Sequence, residues 1–142
     1  MNVVEMIKEF ESLELEPYIC PAGKLTVGYG HCITKTSPYN RRITEAEANM
    51  LLSKDIADSA KTVLRYCKTK LTKYQLDALS SFVMNVGPGN FQKSTLLKRL
   101  NENLMIGAAK EFEKWIYGNG KKLPGLVRRR KMERELFEGK YE

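Results

Sequence analysis

The helical spacing of apolar residues is interrupted between Leu15 and about Thr34, where prolines and glycines separate short runs rich in Tyr, Ile, Val and Thr. β-branched and aromatic residues favour strands, and Pro and Gly favour the turns between them. The segment therefore predicts a small antiparallel sheet, with Pro21-Ala22-Gly23-Lys24 as the turn between its first two strands. Helical sequence lies on both sides of this segment, so the chain is expected to combine helices with a small sheet.

Start signals and apolar periodicity predict helices over the rest of the chain. Asn2 can cap a helix through about Glu11, and Thr44-Glu45-Ala46-Glu47 has the form of a capping box before a long helix. Thr72-Lys73-Tyr74-Gln75 repeats that signature and predicts a helix through about Val86. Further predicted helices span residues 94–103, 106–117 and 126–137. Gly87-Pro88-Gly89 is predicted to stop the helix that runs through about Val86, and the turns Gly118-Asn119-Gly120 and Pro124-Gly125 are predicted to separate the last two helices.

The order of these elements predicts an α+β fold in a single domain over residues 1–142. A small antiparallel β lobe is expected at about 13–43 and a connecting helix at about 45–67. The larger helical lobe is expected at about 68–142, together with the N-terminal helix at 2–11. A chain of this length can bury a core without disulfide staples, and we expect it to be a monomer.

Composition excludes several classes of protein. No stretch approaches the roughly 20 apolar residues that span a bilayer, and Met1 to Phe10 lacks the apolar core of a signal peptide. We therefore expect export to depend on another factor, or on an export segment absent from the sequence. Three cysteines, a small and odd number, predict no disulfide framework, and one histidine with scattered cysteines predicts no metal site and no cofactor.

The formal net charge of +7 is concentrated near the C-terminus, where eight Lys or Arg stand against four Glu from Gly118 to Glu142. Such a surface attracts polyanions, whether nucleic acid, anionic lipid or bacterial wall polymers. Charge alone does not choose among these partners.

Three side chains near the N-terminus carry the most informative chemistry. Glu11 ends the first helix, and Cys20 and Thr26 follow in the predicted sheet. The negative end of a helix and partial burial favour the protonated carboxyl that a general acid needs. An acid that faces groups able to hold a water is what cleavage of a glycosidic bond requires.

The strand around Thr26 is expected to leave room for a sugar. Period-2 alternation would place Thr26, Gly28 and Gly30 on one face, which the two glycines would keep open. The Thr26 hydroxyl could then hold the attacking water. His31 is expected to be structural rather than catalytic.

The spacing Glu11-x8-Cys20-x5-Thr26, followed by Gly28-Tyr29-Gly30-His31, resembles the phage lysozymes of glycoside hydrolase family 24. The resemblance implies a lysozyme-like fold and hydrolysis of the β-1,4 bond between N-acetylmuramic acid and N-acetylglucosamine in peptidoglycan. It implies that Thr26 holds the attacking water and that His31 packs beneath the sheet through a hydrogen bond. Cys20 replaces the aspartate of the T-even-phage enzymes, although a branch of the family carries cysteine. A neutral thiol would be a weaker electrostatic partner than a carboxylate.

The resemblance continues over Phe82 to Phe91 and Ser94 to Leu97, and over the run from Leu123 to Arg130. It implies that Met84 and Asn85 face Glu11, that Ser94 lines the sugar groove, and that Cys32 touches the sugar through its backbone. An arginine, best aligned to Arg130 with Arg129 as the alternative, is implied to pair with the catalytic glutamate. A disulfide between Cys20 and Cys32 is a hypothesis that would block the site.

The resemblance predicts an endolysin that binds peptidoglycan and anionic cell wall polymers and causes host cell lysis. It would be made in the host cytoplasm and reach the wall after release by another factor. One alternative is a catalytically weak, wall-binding relative. A second is a nucleic-acid-binding module that uses the helix Arg128-Arg129-Arg130-Lys131, although no stacking platform or recognised motif accompanies it and no specific nucleic acid is expected.

Overall fold

The computed structural model describes residues 2–140. Helix α1 spans Val3–Phe10 and begins where Asn2 Oδ1 accepts a hydrogen bond from the Glu5 amide at 2.9 Å. Its apolar face is buried through Val3, Met6 and Ile7. The helix therefore forms as predicted, because its first turn is capped by Asn2 and its apolar face is buried.

A three-stranded antiparallel sheet follows, with strands β1 (Glu14–Ile19), β2 (Leu25–Gly28) and β3 (His31–Cys32) in that order. β1 is irregular between Glu14 and Tyr18, where Pro17 offers no amide to the ladder. The β1–β2 turn matches the prediction: the Gly23 amide donates to Cys20 O at 2.8 Å, and Gly23 has a φ of +80°.

The long helix α2 spans Glu45–Tyr66 and begins at the predicted capping box. The Thr44 hydroxyl accepts from the Glu47 amide at 3.1 Å, and Glu47 Oε1 accepts from the Thr44 amide at 3.0 Å. This reciprocal pair satisfies two amides that the helix itself cannot bond.

Residues after α2 form a helical assembly. It contains α3 (Lys73–Val86), α4 (Pro88–Lys93), α5 (Thr95–Asn101), α6 (Met105–Glu111), a 3₁₀ turn at Phe112–Lys114, the hairpin β4 (Tyr117–Gly118) and β5 (Lys121–Lys122), and α7 (Pro124–Phe137). Its aromatic core is centred on Phe82. The Phe82 ring lies edge-on to the rings of Phe112 and Trp115, with centroid distances of 5.4 and 5.6 Å.

The helix stop predicted at Gly87-Pro88-Gly89 is confirmed, since α3 ends at Val86 and Gly87 is its C-cap. Pro88 then starts α4, because it is preset for the first helical turn and Phe91 is fully buried. The turn predicted at Pro124-Gly125 is wrong, because Pro124 starts α7 in the same way. The helix predicted over 106–117 ends at Glu111, and the predicted turn at Gly118-Asn119-Gly120 closes the hairpin β4–β5. Asn119 and Gly120 both have positive φ, as two-residue hairpin loops require.

The α+β class, with a small N-terminal sheet and a larger helical part, is confirmed. The chain divides into two compact units, Asn2–Ile56 and the residues from Ala57 onward, and α1 belongs to the first of them. The predicted lobe boundaries, with α1 grouped with the helical lobe, stay a prediction. Within residues 2–140, no helix combines the length and apolar character needed to cross a membrane.

Candidate active site

Glu11 lies immediately after α1, where the chain turns from helix to extended backbone with φ −104° and ψ 117°. Its carboxylate packs directly on Gly30. A methyl group in place of the Gly30 hydrogen would lie 2.7 Å from Glu11 Oε2 and 3.0 Å from Cδ. Gly30 also has a φ of +75°, so only glycine fits this position without strain. The close approach fixes where the half-buried carboxylate sits.

Thr26 lies on β2 and is 2% exposed. Its hydroxyl donates a hydrogen bond to the Lys24 carbonyl at 2.9 Å. The one hydroxyl proton can go to that carbonyl or, in exchange, to the Cys20 sulfur, and in either arrangement the oxygen can accept a hydrogen bond from a water.

The expectation that Thr26, Gly28 and Gly30 share one open face is wrong. Strand β2 ends at Gly28, so the alternation does not continue to Gly30. A Cβ on the buried Gly28 would meet Ala48 and Ile43 at 3.5 Å. Gly28 therefore packs towards α2, whereas Gly30 packs against Glu11.

Cys20 follows β1, half-buried and free of any disulfide. Its amide donates to the Lys24 carbonyl at 2.9 Å, which closes the β1–β2 turn. Hydrogen bonding from the Lys24 backbone lowers the pKa of the Cys20 thiol, and the Thr26 hydroxyl and the Ala22 backbone act in the same direction against partial burial. At a given pH, a larger fraction of Cys20 is therefore ionised to the thiolate than of an ordinary cysteine.

Tyr18 belongs to this cluster and was not singled out from the sequence. It pairs with Thr26 across the β1–β2 ladder. Burial raises the pKa of the Tyr18 phenol, and the charges of Glu11 and Cys20 raise it further. The available signal was its position two residues before Cys20, because side chains two residues apart along an extended chain point to the same side.

The hydrogen bond predicted for His31 is present, and its partner is Asp55. The His31 Nδ1 lies 3.0 and 2.8 Å from the two carboxylate oxygens of Asp55 on α2. The pair ties β3 to the long helix within the N-terminal unit. Nothing in the sequence marked Asp55, because the two residues are separated by 24 positions.

Cys32 is exposed at the end of the sheet, where it pairs with Thr26 across the β2–β3 ladder. It is a free thiol, as is Cys67, and the proposed disulfide to Cys20 is not formed in this structure. Cys67 is half-buried, with Sγ 3.3 Å from Thr69 Oγ1.

The remaining predicted site residues lie in the helical unit. Met84 is half-buried and Asn85 exposed near the end of α3. Ser94 is 6% exposed and caps α5: its hydroxyl donates to Phe91 O at 2.7 Å and accepts from the Leu97 amide at 3.1 Å. That hydroxyl therefore stabilises the start of α5, and the predicted place of Ser94 in the sugar groove stays a prediction.

Arg130 is completely buried on α7, with its guanidinium carbon 5.1 Å from the centroid of the Phe82 ring. Its Nε lies 3.1 Å from Glu133 Oε1, and its Nη2 donates to Asn85 Oδ1. Arg129 is also buried and donates to Glu133 Oε2 at 3.2 Å and to Ser81 O at 3.0 Å. The predicted pairing of Arg130 with Glu11 stays a prediction.

Comparison with known proteins places these features in one family. A protein-family model described as "Phage lysozyme" matches residues 8–133. The chain is 43% identical over 137 residues to an endolysin of Acyrthosiphon pisum secondary endosymbiont phage 1, covering 94% of this chain and 92% of the relative. It is 40% identical over 126 residues to a SAR-endolysin of Bacteriophage PS34, covering 89% and 75% of the two chains.

Among solved structures, the muramidase domain of SpmX from Asticaccaulis excentricus is similar, with a TM-score of 0.83 and 36% identity. That match covers 95% of this chain and 93% of the other. The lysozyme-like fold predicted from the sequence is therefore confirmed.

Proposed function

The chain belongs to the phage lysozyme family, and from that premise we propose the residues through which it hydrolyses β-1,4 bonds between N-acetylmuramic acid and N-acetylglucosamine in peptidoglycan. It is a glycoside hydrolase and an endolysin, as its relatives are. The observation that carries the proposed site is the Glu11 carboxylate held against Gly30, in the same compact unit as Cys20 and Thr26.

In the proposed mechanism, Glu11 donates its proton to the leaving glycosidic oxygen. The Thr26 oxygen accepts a hydrogen bond from the attacking water. Cys20, whose pKa is lowered from the ordinary cysteine value, is proposed to place its sulfur near the positive charge that develops on the sugar. Met84, Asn85 and the backbone of Cys32 are proposed to contact the glycan.

The stereochemical outcome distinguishes two roles for Cys20. If Thr26 and Cys20 hold a water, the product anomer is inverted relative to the substrate. If the Cys20 thiolate attacks the sugar, a covalent intermediate forms and the configuration is retained. We propose inversion, and the anomer of the first product from purified peptidoglycan tests it.

Glu11→Gln tests the site. The variant should fold and lose activity by about 10²- to 10⁴-fold, because the amide has no proton to donate. Glu14→Gln, which removes an exposed carboxylate from β1, is the matched control and should lyse cell walls at the wild-type rate. Lysis by folded Glu11→Gln at that rate would remove Glu11 from the mechanism.

We propose that the enzyme acts as a monomer on the bacterial wall and binds anionic wall polymers. SAR-endolysins among its relatives support an action outside the cytoplasm. The finer proposal is synthesis in the host cytoplasm followed by release to the wall by another factor. Expression without any lysis partner, followed by a measurement of cell lysis, tests whether such a factor is needed.

Burial weakens the nucleic-acid alternative, since Arg129 and Arg130 are 2% and 0% exposed and cannot contact a phosphate backbone from the surface. The catalytically weak relative remains a second candidate because Cys20 replaces a carboxylate. Wall binding without release of soluble glycan would support that candidate.

A further inference from the structure

We propose that Arg130 is a positioning residue that turns the side-chain amide of Asn85 so that only its N–H donors face the substrate. Asn85 then selects a carbonyl oxygen of the glycan. This inference rests on the proposed function and deepens it, because it assigns a polarity to one substrate contact and names the group that sets it.

The geometry joins a buried cation to an exposed amide. Arg130 on α7 is 0% exposed, whereas Asn85 on α3 is exposed. The Arg130 Nη2 donates to Asn85 Oδ1, and this is the one hydrogen bond that Asn85 makes through its side chain among the described residues 2–140. The Nδ2 group is left with two N–H donors at the surface.

The orientation of the amide follows from chemistry. A guanidinium carries five N–H donors and no acceptor, so it bonds the oxygen of an amide and never the nitrogen. Asn85 turned the other way would bring its NH₂ group against the donors of Arg130. Because Arg130 cannot accept a hydrogen bond, it decides which way the side-chain amide of Asn85 points.

Arg130 keeps that role across the physiological pH range. Burial lowers the pKa of its guanidinium to about 10, against the opposing attraction of Glu133. The group is therefore still protonated near neutral pH. Its position is fixed by Glu133, with Nε 3.1 Å from Oε1, and by stacking over Phe82.

Two outward N–H donors recognise an acceptor oxygen. Peptidoglycan offers carbonyl oxygens of this kind on its N-acetyl groups and on the lactyl-linked peptide of the muramic acid residue. Both sources share the same chemistry, and the substrates below separate them.

Asn85→Asp is the decisive variant. It keeps one oxygen for Arg130 and gains an ion pair, so a purely structural Asn85 tolerates the change. The second carboxylate oxygen replaces the outward N–H donors by an acceptor. The change should therefore weaken substrate binding if Asn85 selects a carbonyl oxygen. We expect KM for soluble peptidoglycan fragments to rise about 10-fold or more with kcat changed less than about twofold, and Asn85→Ala to raise KM by about 3- to 10-fold.

Arg130 is tested by Arg130→Gln, whose side chain can both accept and donate. The Asn85 amide could then turn either way, and we expect KM to rise about two- to threefold in the folded protein. An unchanged KM in folded Arg130→Gln would overturn the positioning role.

Substrate variants identify the carbonyl. Fragments without N-acetyl groups and fragments without the lactyl-linked peptide are compared on wild type and Asn85→Ala. The KM difference between the two enzymes should vanish on the fragment that lacks the contacted carbonyl. A difference that persists on both fragments would overturn the proposal.

Nuclear magnetic resonance of the wild-type chain keeps the test independent of variant folding. The assigned Asn85 side-chain NH₂ signals should shift when a glycan fragment binds, and unshifted signals at saturation would overturn the inference. Wild-type enzyme that fails to cleave peptidoglycan would instead overturn the proposed function. Cleavage by Asn85→Asp with wild-type KM would remove only the inference drawn here.

Discussion

At the scale of single residues, the position of the Glu11 carboxylate depends on a glycine. Gly30 leaves the volume that Oε2 occupies, and its positive φ lets the chain turn there. Gly28, two residues earlier, has nearly the same φ of +70° but meets Ala48 and Ile43 at ordinary contact distances. The two glycines thus share a backbone strain and differ in what a side chain would touch.

Gly30→Ala should therefore abolish most of the lytic activity, whereas Gly28→Ala should retain it. Both variants should lose about 1 to 2 kcal/mol of unfolding free energy, because alanine is disfavoured at positive φ. Only the Gly30 variant also displaces the carboxylate. Activity and urea unfolding measured side by side check this, and equal activity in the two variants would contradict the contact as a catalytic requirement.

A second residue-scale feature is the thiol of Cys20. Its pKa is lowered first by hydrogen bonding from the Lys24 backbone and also by the Thr26 hydroxyl. The charged form is therefore favoured, so thiolate should appear at a lower pH than for a free cysteine with a pKa of about 8.5.

In a Cys32→Ala, Cys67→Ala background, alkylation of Cys20 should accordingly rise with pH at a midpoint below that of a free cysteine measured alongside. Thr26→Val removes one of the hydrogen bonds and should move the midpoint upward. The rate of modification across pH, read by mass spectrometry, is the measurement. A midpoint at or above that of a free cysteine would mean that Cys20 acts only by packing.

At the scale of secondary structure elements, helix ends follow local chemistry. The start of α2 combines the capping box with an ion pair, since Arg41 Nη2 lies 2.6 Å from Glu47 Oε2. Arg41 is the main cause that lowers the pKa of Glu47 to about 2, and the Thr44 amide adds to it. Because the folded-state pKa is depressed, the contribution to stability is present above the unfolded pKa of about 4.3 and is lost as pH falls towards 2.

Glu47→Gln should isolate that contribution, because glutamine preserves the capping box and removes the charge. The variant should be less stable than wild type at pH 6 to 7, and the difference should shrink between about pH 4 and pH 2. Urea midpoints at several pH values check this. Arg41→Gln should add no further loss to Glu47→Gln, and a gap that is constant with pH would contradict the ion pair as its source.

At the scale of the whole molecule, the net charge of +7 is not all at the surface. Two of the eight cations from Gly118 onward, Arg129 and Arg130, are buried. Exposed lysines nevertheless cluster around the hairpin β4–β5 and α7, namely Lys121, Lys122 and Lys131. Two of them, Lys122 and Lys131, line a groove with Val127 and Glu113.

Activity on whole cells should fall with salt, whereas activity on short soluble fragments should change little. Exposed charges steer the enzyme to an anionic wall, and salt screens them over a Debye length of about 8 to 10 Å. Replacing the three clustered lysines by glutamine should weaken the salt dependence more than replacing three scattered ones. The scattered control set is Lys35, Lys61 and Lys110.

Turbidity clearance of cells and hydrolysis of soluble fragments, each followed over a range of salt, provide the two measurements. Equal salt sensitivity on both substrates would mean that the positive charge acts in substrate binding at the site rather than in attracting the enzyme to the cell wall. Equal effects of the clustered and scattered replacements would assign the attraction to net charge alone.

Sequence alone determined what depends on near neighbours. The starts of α1, α2 and α3 were predicted because Asn2, Thr44 and Thr72 bond amides three residues away. The small antiparallel sheet and the turn at Gly23 between its first two strands followed from local conformational preference. Family membership followed from the spacing of Glu11, Cys20 and Thr26, which the chain carries in its order.

Tertiary structure decided what depends on residues far apart in the chain. Asp55 became the partner of His31, and Asn85 the partner of Arg130, across separations of 24 and 45 positions. The run Arg128-Arg129-Arg130-Lys131 looked like one cationic face, yet packing of α7 against α3 buried its middle two members. The charged residues can be read from the sequence. Their burial and the direction of their hydrogen bonds depend on the distant segment that packs against them.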